Sequence, residues 1–374
     1  MTLDTISDTI ERALTSAGLD TKSGPLKSVA ETIRRALSGA GLTQSAPAQV
    51  SDLPFVERVA EKPRQTPPAD FAPGAGTATE RAQFLSRTHS GSAGSRAYKI
   101  FVPPNPAQKR MPLIVMLHGC KQDPDDFAAG TRMNELAERH GFLVAYPAQS
   151  ANANGSNCWN WFQGADQQRE GGEPAILAGI VREIAGLHAV DERRVFVAGL
   201  SAGAAMAVIM GATHPELFAG VGAHSGLPQG AAHDVASAFA AMRGAPSTWQ
   251  ARAAGAPHRG AAPGTSASRI PTIVFHGDKD ATVNPANGET IVQRAVAAHD
   301  NDAVERTEVV TPGTATSRAH TITVHADANG RPLIEHWRVH GGTHAWSGGS
   351  SEGSYTDPRG PDASAEMVRF FLAQ

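Results

Sequence analysis

The sequence predicts an α/β domain: a mostly parallel central sheet with helices on both faces, plus a small helical N-terminal extension. Three observations carry this prediction. Apolar runs of strand length alternate with helix-length stretches from about residue 95 to the end of the chain. The run 112–117 is apolar throughout, as strands covered on both faces of a parallel sheet are. The third is a tight glycine-flanked passage, Gly199-Leu200-Ser201-Ala202-Gly203, which joins one such strand to a helix of small residues.

Taken in order, strands are expected over 98–102, 112–117, 142–146, 195–198, 220–223, 270–275, 305–310, 319–325 and 334–339. Helices are expected over 126–140, 173–188, 202–213, 288–298 and 362–372. Residues 227–268 break the alternation and are rich in Ala and Gly. This stretch reads either as a cap or lid over the carboxyl edge of the sheet or as an ordinary loop excursion.

The N-terminal region is organised differently. Residues 9–19 recur, with substitutions, as residues 32–42. Each copy reads as a helix stopped by glycine, with Leu3, Ile6, Ile10, Leu14 and Ala17 on one face of the first, and Leu26, Val29, Ile33, Leu37 and Ala40 on that of the second. Two short packed helices over 1–42 are the plain expectation; an amphipathic docking element is the functional one. Residues 43–94 are rich in Pro, Ala and Gly and read as a linker, with order resuming near Arg96. The catalytic candidate region is then 95–374.

Composition narrows the function classes. A chain of 374 residues buries a sizeable core without staples. Lys and Arg number 33 against 36 Asp and Glu, a formal net charge of −3, so no basic excess points to nucleic acid. No apolar run approaches the ~18 residues of a membrane helix. The first 20 residues interleave acids with apolar residues, unlike a signal peptide, which makes cytoplasmic residence the expectation.

The chemistry gathers around Ser201. A strand-to-helix turn this tight accepts only small residues at its flanks and lifts the serine hydroxyl above the sheet, over a helix N-terminus that favours negative charge. A serine hydroxyl needs a base, and an acid to orient that base, in the chain order acid then histidine. The strand 270–275 runs into His276-Gly277-Asp278-Lys279-Asp280. Asp280 lies further past the strand end and is the favoured acid; Asp278 is expected to shape the turn through local backbone amides. Among the 15 histidines, His344 lies downstream of the acid, in a loop after a strand and behind two glycines, and is the favoured base. His340, at the strand's end, is its nearest rival and is expected to be structural. Acyl transfer also needs donors for the oxyanion. The backbone amides of Ala202 and Cys120 are the candidates, with His118 supporting the loop or taking part directly. Trp159, Trp161 and Trp346 are candidate walls of an acyl pocket, with core packing as the alternative. No metal or organic cofactor is expected, because no Cys/His cluster has ligand spacing.

These motifs carry a resemblance. Leu117-His118-Gly119-Cys120, Asn157-Cys158-Trp159-Asn160-Trp161-Phe162, residues 190–195, the serine turn, His276 to Asp280 and Gly342-Thr343-His344-Ala345-Trp346 occur in the order seen in the poly(3-hydroxybutyrate) depolymerase family of esterases, related to feruloyl and acetylxylan esterases. The resemblance implies an α/β-hydrolase fold, the triad Ser201–Asp280–His344 and an oxyanion loop containing His118 and Cys120. It also implies that Cys120 and Cys158 lie together, bridged in secreted relatives, although cytosolic thiols stay reduced. The start and end of the sequence are more similar to the intracellular branch. The expectation is therefore a serine esterase for a polyester or short-chain ester, with residues 1–42 offering affinity for a storage-granule surface. A feruloyl- or acetylxylan-type carbohydrate esterase is the alternative enzyme, and a granule scaffold on a silent hydrolase fold is the alternative without activity.

Overall fold

The computed structural model describes residues 81–105, 107–245, 269–299 and 304–374, all within Asp70–Gln374, the second of the chain's two units. The repeat over 1–42, most of the linker over 43–94 and residues 246–268 of the expected cap lie outside the described residues.

In chain order the strands are β1 (Gln83–Gly91), β2 (Gly94–Val102), β3 (Met111–Leu117), β4 (Leu143–Pro147), β5 (Val190–Leu200), β6 (Gly220–His224), β7 (Thr272–Gly277), β8 (Glu305–Thr311), β9 (His320–Ala326) and β10 (Pro332–Val339). They form one sheet in the order β1-β2-β4-β3-β5-β6-β7-β10-β9-β8. The six strands from β4 to β10 in that order pair in parallel; β1, β2, β9 and β8 extend the sheet through antiparallel ladders. The helices are α1 (Pro124–Thr131), α2 (Met133–His140), α3 (Gly172–Leu187), α4 (Ala202–Thr213), α5 (Val235–Met242), α6 (Ala286–Ala298) and α7 (Ala363–Leu372). A two-stranded ribbon pairs β11 (Trp346–Ser347) with β12 (Thr356–Asp357). Among the described residues, no helix is long and apolar enough to cross a membrane.

The alternating side chains of β3 and β5 show why the central strands are apolar throughout. Leu113, Val115, Leu117, Val195 and Val197 pack on one face, against α3 and α4. Ile114, Met116, Phe196, Ala198 and Leu200 pack on the other, against α1, α2 and α7. Each fully buried aliphatic side chain of this kind contributes about 1.5–3 kcal/mol relative to exposure.

Two differences from the sequence expectation have physical causes. β1 lies inside the stretch read as linker over 43–94. It pairs along its whole length with β2 through a turn at residues 92–93, and it is an edge strand with mostly exposed side chains, so it carries little apolar alternation. The helix expected over 126–140 is two helices. Arg132 takes a left-handed conformation (φ 53°, ψ 27°) between α1 and α2, where the chain near Gly353 passes close to Gly130.

Candidate active site

Strand ends at the carboxyl edge of the parallel strands supply the candidate residues. Ser201 follows β5 at φ 57° and ψ −119°, a backbone geometry that a non-glycine residue adopts only under strain. Its N–H donates to His224 O (2.9 Å), which ties the turn to the end of β6. The flanking glycines are obligatory. A Cβ at Gly199 would lie 2.5 Å from the Gly203 carbonyl carbon, and one at Gly203 would strike Leu117 O and lie 2.6 Å from His118 O. α4 thus starts directly beneath Ser201 and points its N-terminal dipole there.

Asp280 and His344 meet. His344 Nδ1 lies 2.8 Å from Asp280 Oδ2, with the carboxylate fully buried and the imidazole 13% exposed. Asp280 Oδ1 accepts from the amides of Thr282 (2.9 Å) and Val283 (2.8 Å). His276 Nε2 approaches Oδ2 to 3.5 Å and lies 2.9 Å from Val283 O. Burial alone would raise the Asp280 carboxyl, but the His276 and His344 contacts and the Val283 amide outweigh it and hold it far below the usual carboxylate range. A permanently charged acid fixes His344 with its proton on Nδ1, leaving Nε2 as a base.

The loops carrying this pair are locked together. Asp278 N donates to Val339 O (3.0 Å) and Lys279 N to Gly342 O (2.9 Å), and a Cβ at Gly277 would strike Gly342 O. The expectation that Asp278 shapes its turn through local backbone amides is corrected by its contacts. Its carboxylate reaches across to the Gly341 amide (2.8 Å) and His340 Nδ1 (3.1 Å). His340 also contacts Thr321 Oγ1 (2.9 Å), so it is a brace between loops and strands.

His224 connects these elements to Ser201. Its Nε2 accepts from Ser347 N (3.0 Å), and its ring stacks between Phe275 (5.8 Å) and Trp346 (5.1 Å). Burial, reinforced by the neighbouring His276 and His344, lowers it to about 3, which keeps it neutral and able to accept. Ser201, Asp280 and His344 therefore share one edge of the sheet. Among the described residues, the Ser201 hydroxyl has no hydrogen-bond partner, and contacts of this kind are commonly long before substrate binds.

On the other side, the loop after β3 carries Cys120 and His118. The Gly119 amide is taken by Gln122 Oε1 (2.9 Å). His118 is buried, and both ring nitrogens are engaged: Nε2 accepts from Gln149 N (3.1 Å) and Nδ1 donates to Gly119 O (2.8 Å). Burial lowers its pKa and keeps it neutral. It shapes the loop and offers no donor to an oxyanion, which corrects its candidacy for direct participation. Cys120 and Cys158 form a disulfide.

The tryptophans depart from the pocket expectation. Trp159 is fully buried and donates from Nε1 to His118 O (3.1 Å), with Arg96 5.9 Å above its ring. Trp346 is buried too, donates to Ser364 Oγ (3.0 Å) and meets Phe127 edge-on at 5.4 Å. Trp161 is buried against Phe162, edge-on at 5.7 Å. These three side chains are packed in the interior and are not exposed walls. Sequence reasoning also missed Arg96, Gln149, Asn160, Asp166 and Glu173, a buried polar group beside Trp159. The one available signal was an acid at the start of an otherwise apolar helix, at Glu173.

Against this geometry, comparison with known proteins is informative. The family model described as Esterase PHB depolymerase matches residues 96–311, more than half of the chain. The chain belongs to the esterase PHB depolymerase family. The matched segment contains Ser201 and Asp280; His344 lies beyond it. Poly(3-hydroxyalkanoate) depolymerase C of Paucimonas lemoignei is 34% identical over 237 residues, 62% of this chain and 54% of that protein. A poly(3-hydroxybutyrate) depolymerase of Ralstonia pickettii is 29% identical over 259 residues, 66% of this chain and 50% of that one. The chain thus spans about half the length of these two relatives. A probable acetylxylan esterase A of Aspergillus flavus is 31% identical over 227 residues, 57% of this chain and 70% of that protein. The solved acetyl xylan esterase of Aspergillus awamori superposes with a TM-score of 0.58 at 20% identity, covering 78% of this chain and 100% of its own, which establishes the α/β-hydrolase fold.

Proposed function

We propose that this family member hydrolyses carboxylic esters through an acyl-enzyme on Ser201. The observation that carries the reading is the buried Asp280–His344 contact of 2.8 Å on the sheet edge that also bears the strained Ser201 turn. In the proposed cycle His344 Nε2 takes the proton from Ser201 Oγ as it attacks the ester carbonyl. The amides of Ala202 and Cys120 hold the oxyanion, and each donor of this kind is worth roughly 100- to 1,000-fold in rate. His344 then protonates the leaving alcohol, and water repeats the sequence on the acyl-enzyme while Asp280 stabilises the imidazolium.

The leading substrate is a short-chain poly(3-hydroxyalkanoate) or its oligomers, supported by the names of the depolymerase relatives. A carbohydrate esterase of the acetylxylan type is the second reading, supported by the larger share, 70%, of the Aspergillus flavus protein that this chain covers. Product analysis after incubation with amorphous polyhydroxybutyrate, beside acetylated xylan and methyl ferulate, separates the two. Hydroxybutyrate oligomers released by wild type and not by Ser201→Ala are the expected result. Acetate release alone would support the second reading, and no activity in wild type on any ester would leave a scaffold role. Cytoplasmic residence with residues 1–42 on a granule surface is a separate proposal. In that compartment the Cys120–Cys158 pair is either unbridged or bonded against the cellular reductants. Unchanged granule association after deletion of residues 1–42 would reject the proposal.

A further inference from the structure

Behind the loop after β3 lies a set of buried polar side chains that the proposed cycle does not use. Glu173, the second residue of α3, is 3% exposed. Its Oε1 accepts from Gln149 Nε2 and from Asn160 Nδ2 (3.0 Å) and faces Arg96 Nη2 at 3.8 Å; its Oε2 accepts from Asn160 N (2.8 Å). Gln149 is the junction. Its Oε1 accepts from Arg96 Nη1 (2.5 Å) and Ser150 N (2.8 Å), and its Nε2 also donates to Cys158 O (2.8 Å). Its backbone N–H holds His118 Nε2 (3.1 Å). One residue thus reaches both supports of Cys120: the His118 ring through its backbone N–H, and the backbone of the disulfide partner through its side chain, which Glu173 and Arg96 hold in place.

A buried ionic group of this sort is seldom retained for stability, since apolar residues of similar volume are often as good or better. The hydrogen bonds here lead to the loop that carries the Cys120 amide. We propose that Glu173 is a positioning residue for that loop, acting through Gln149 on His118 and on the Cys158 backbone. The carboxylate form suits the task, because all the hydrogen-bonding groups aimed at it from Gln149 and Asn160 are donors. Burial raises this carboxyl to about 7, against the bonds from Gln149 and Asn160; Asp166 adds to the rise and Arg96 opposes it. The charged groups that face it are Arg96 from β2 and Asp166 from the 3-10 turn Gly164–Gln167; the neutral His118 touches Gln149 instead. Protonation would place a hydrogen among these donors and leave Arg96 without its counter-charge, so the loop loosens as pH falls through neutrality.

The inference rests on the reading of Ser201 and the Cys120 amide as parts of the reaction, so Ser201→Ala is assayed in parallel. On p-nitrophenyl butyrate above neutral pH, Glu173→Gln and Gln149→Met are each expected to lower kcat about tenfold, less than the roughly 100- to 1,000-fold that loss of an oxyanion donor costs, because the donor is displaced and not removed, with KM nearly unchanged. The loss should shrink as pH falls, because wild type loses the carboxylate as well. In the intact chain carrying Ser201→Ala, the Trp159 indole N–H resonance, bonded to His118 O, should titrate near neutrality. A folded Glu173→Gln with wild-type kcat and pH profile overturns the inference; where that variant does not fold, a Trp159 signal that does not move across the neutral range does so. Full activity in Ser201→Ala would instead remove the underlying reading.

Discussion

The two sides of the candidate site are built by different means. The loops after β7 and β10, which bring Asp280 to His344, hold each other by backbone: Asp278 N to Val339 O, Lys279 N to Gly342 O, and a glycine approach that admits no Cβ. The loop after β3, which carries Cys120, has one backbone bond of this kind, Lys121 N to Ser156 O, and otherwise leans on side chains: the disulfide to Cys158, its own His118 ring against the Gln149 amide, and the Gln149 side chain with Glu173 behind it. Backbone locking gives a site that a substitution either leaves alone or breaks. Side-chain support gives one that protons and reductants can adjust.

Breaking the first side has the largest expected effect. Asp280→Asn keeps the shape but removes the charge that selects the His344 tautomer, and kcat should fall about 10⁴-fold, as in other triads. A fall of less than about tenfold would show that His344 does not depend on Asp280. On the second side, replacing Cys120 and Cys158 together by serine frees a loop with a sequence separation of 38, which chain-entropy reasoning values at roughly 3–4 kcal/mol. Urea midpoints of the two proteins measure this, and equal midpoints would contradict it.

Sequence legibility follows the same division. The Ser201 turn was readable because strand, glycines and helix are neighbours in sequence, and Asp280 and His344 because each follows a strand end. The fold was readable because β3 and β5 are apolar on both faces. Edge strand β1 was not, since its side chains face solvent and register comes from pairing with β2. Nor was the burial of Trp159 and Trp346, whose indole donors find partners 41 and 18 residues away. The Glu173 group was nearly as hard to read: Gln149, Asn160 and Asp166 are scattered through the irregular connection between β4 and α3, and Arg96 comes from β2, so only the fold assembles them.

Two smaller effects sharpen the contrast. Glu173 titrates near 7 in the fold against an ordinary value of 4.5. Its protonated form therefore contributes about 3 kcal/mol at acid pH, which is lost as pH rises from about 4.5 through about 7. Unfolding free energy followed across that window should decline in wild type and stay flatter in Glu173→Gln; parallel curves would contradict the assignment. Stability and the proposed loop-ordering role then change in opposite directions over the same pH interval. Smallest is Gly277→Ala on the backbone-locked side, where the new methyl strikes Gly342 O and should cost roughly 1–3 kcal/mol in thermal or urea unfolding. A neutral substitution would show that the two loops can part without penalty.

The central claim is that Ser201 is the nucleophile and His344, held by Asp280, its base. Intact-protein mass spectrometry after brief reaction with an alkyl fluorophosphonate, followed by peptide mapping, tests it most directly. The account predicts a single adduct on Ser201 in wild type, none in Ser201→Ala, and strongly slowed labelling in His344→Ala. An adduct on another residue, or equal labelling in Ser201→Ala, would contradict it.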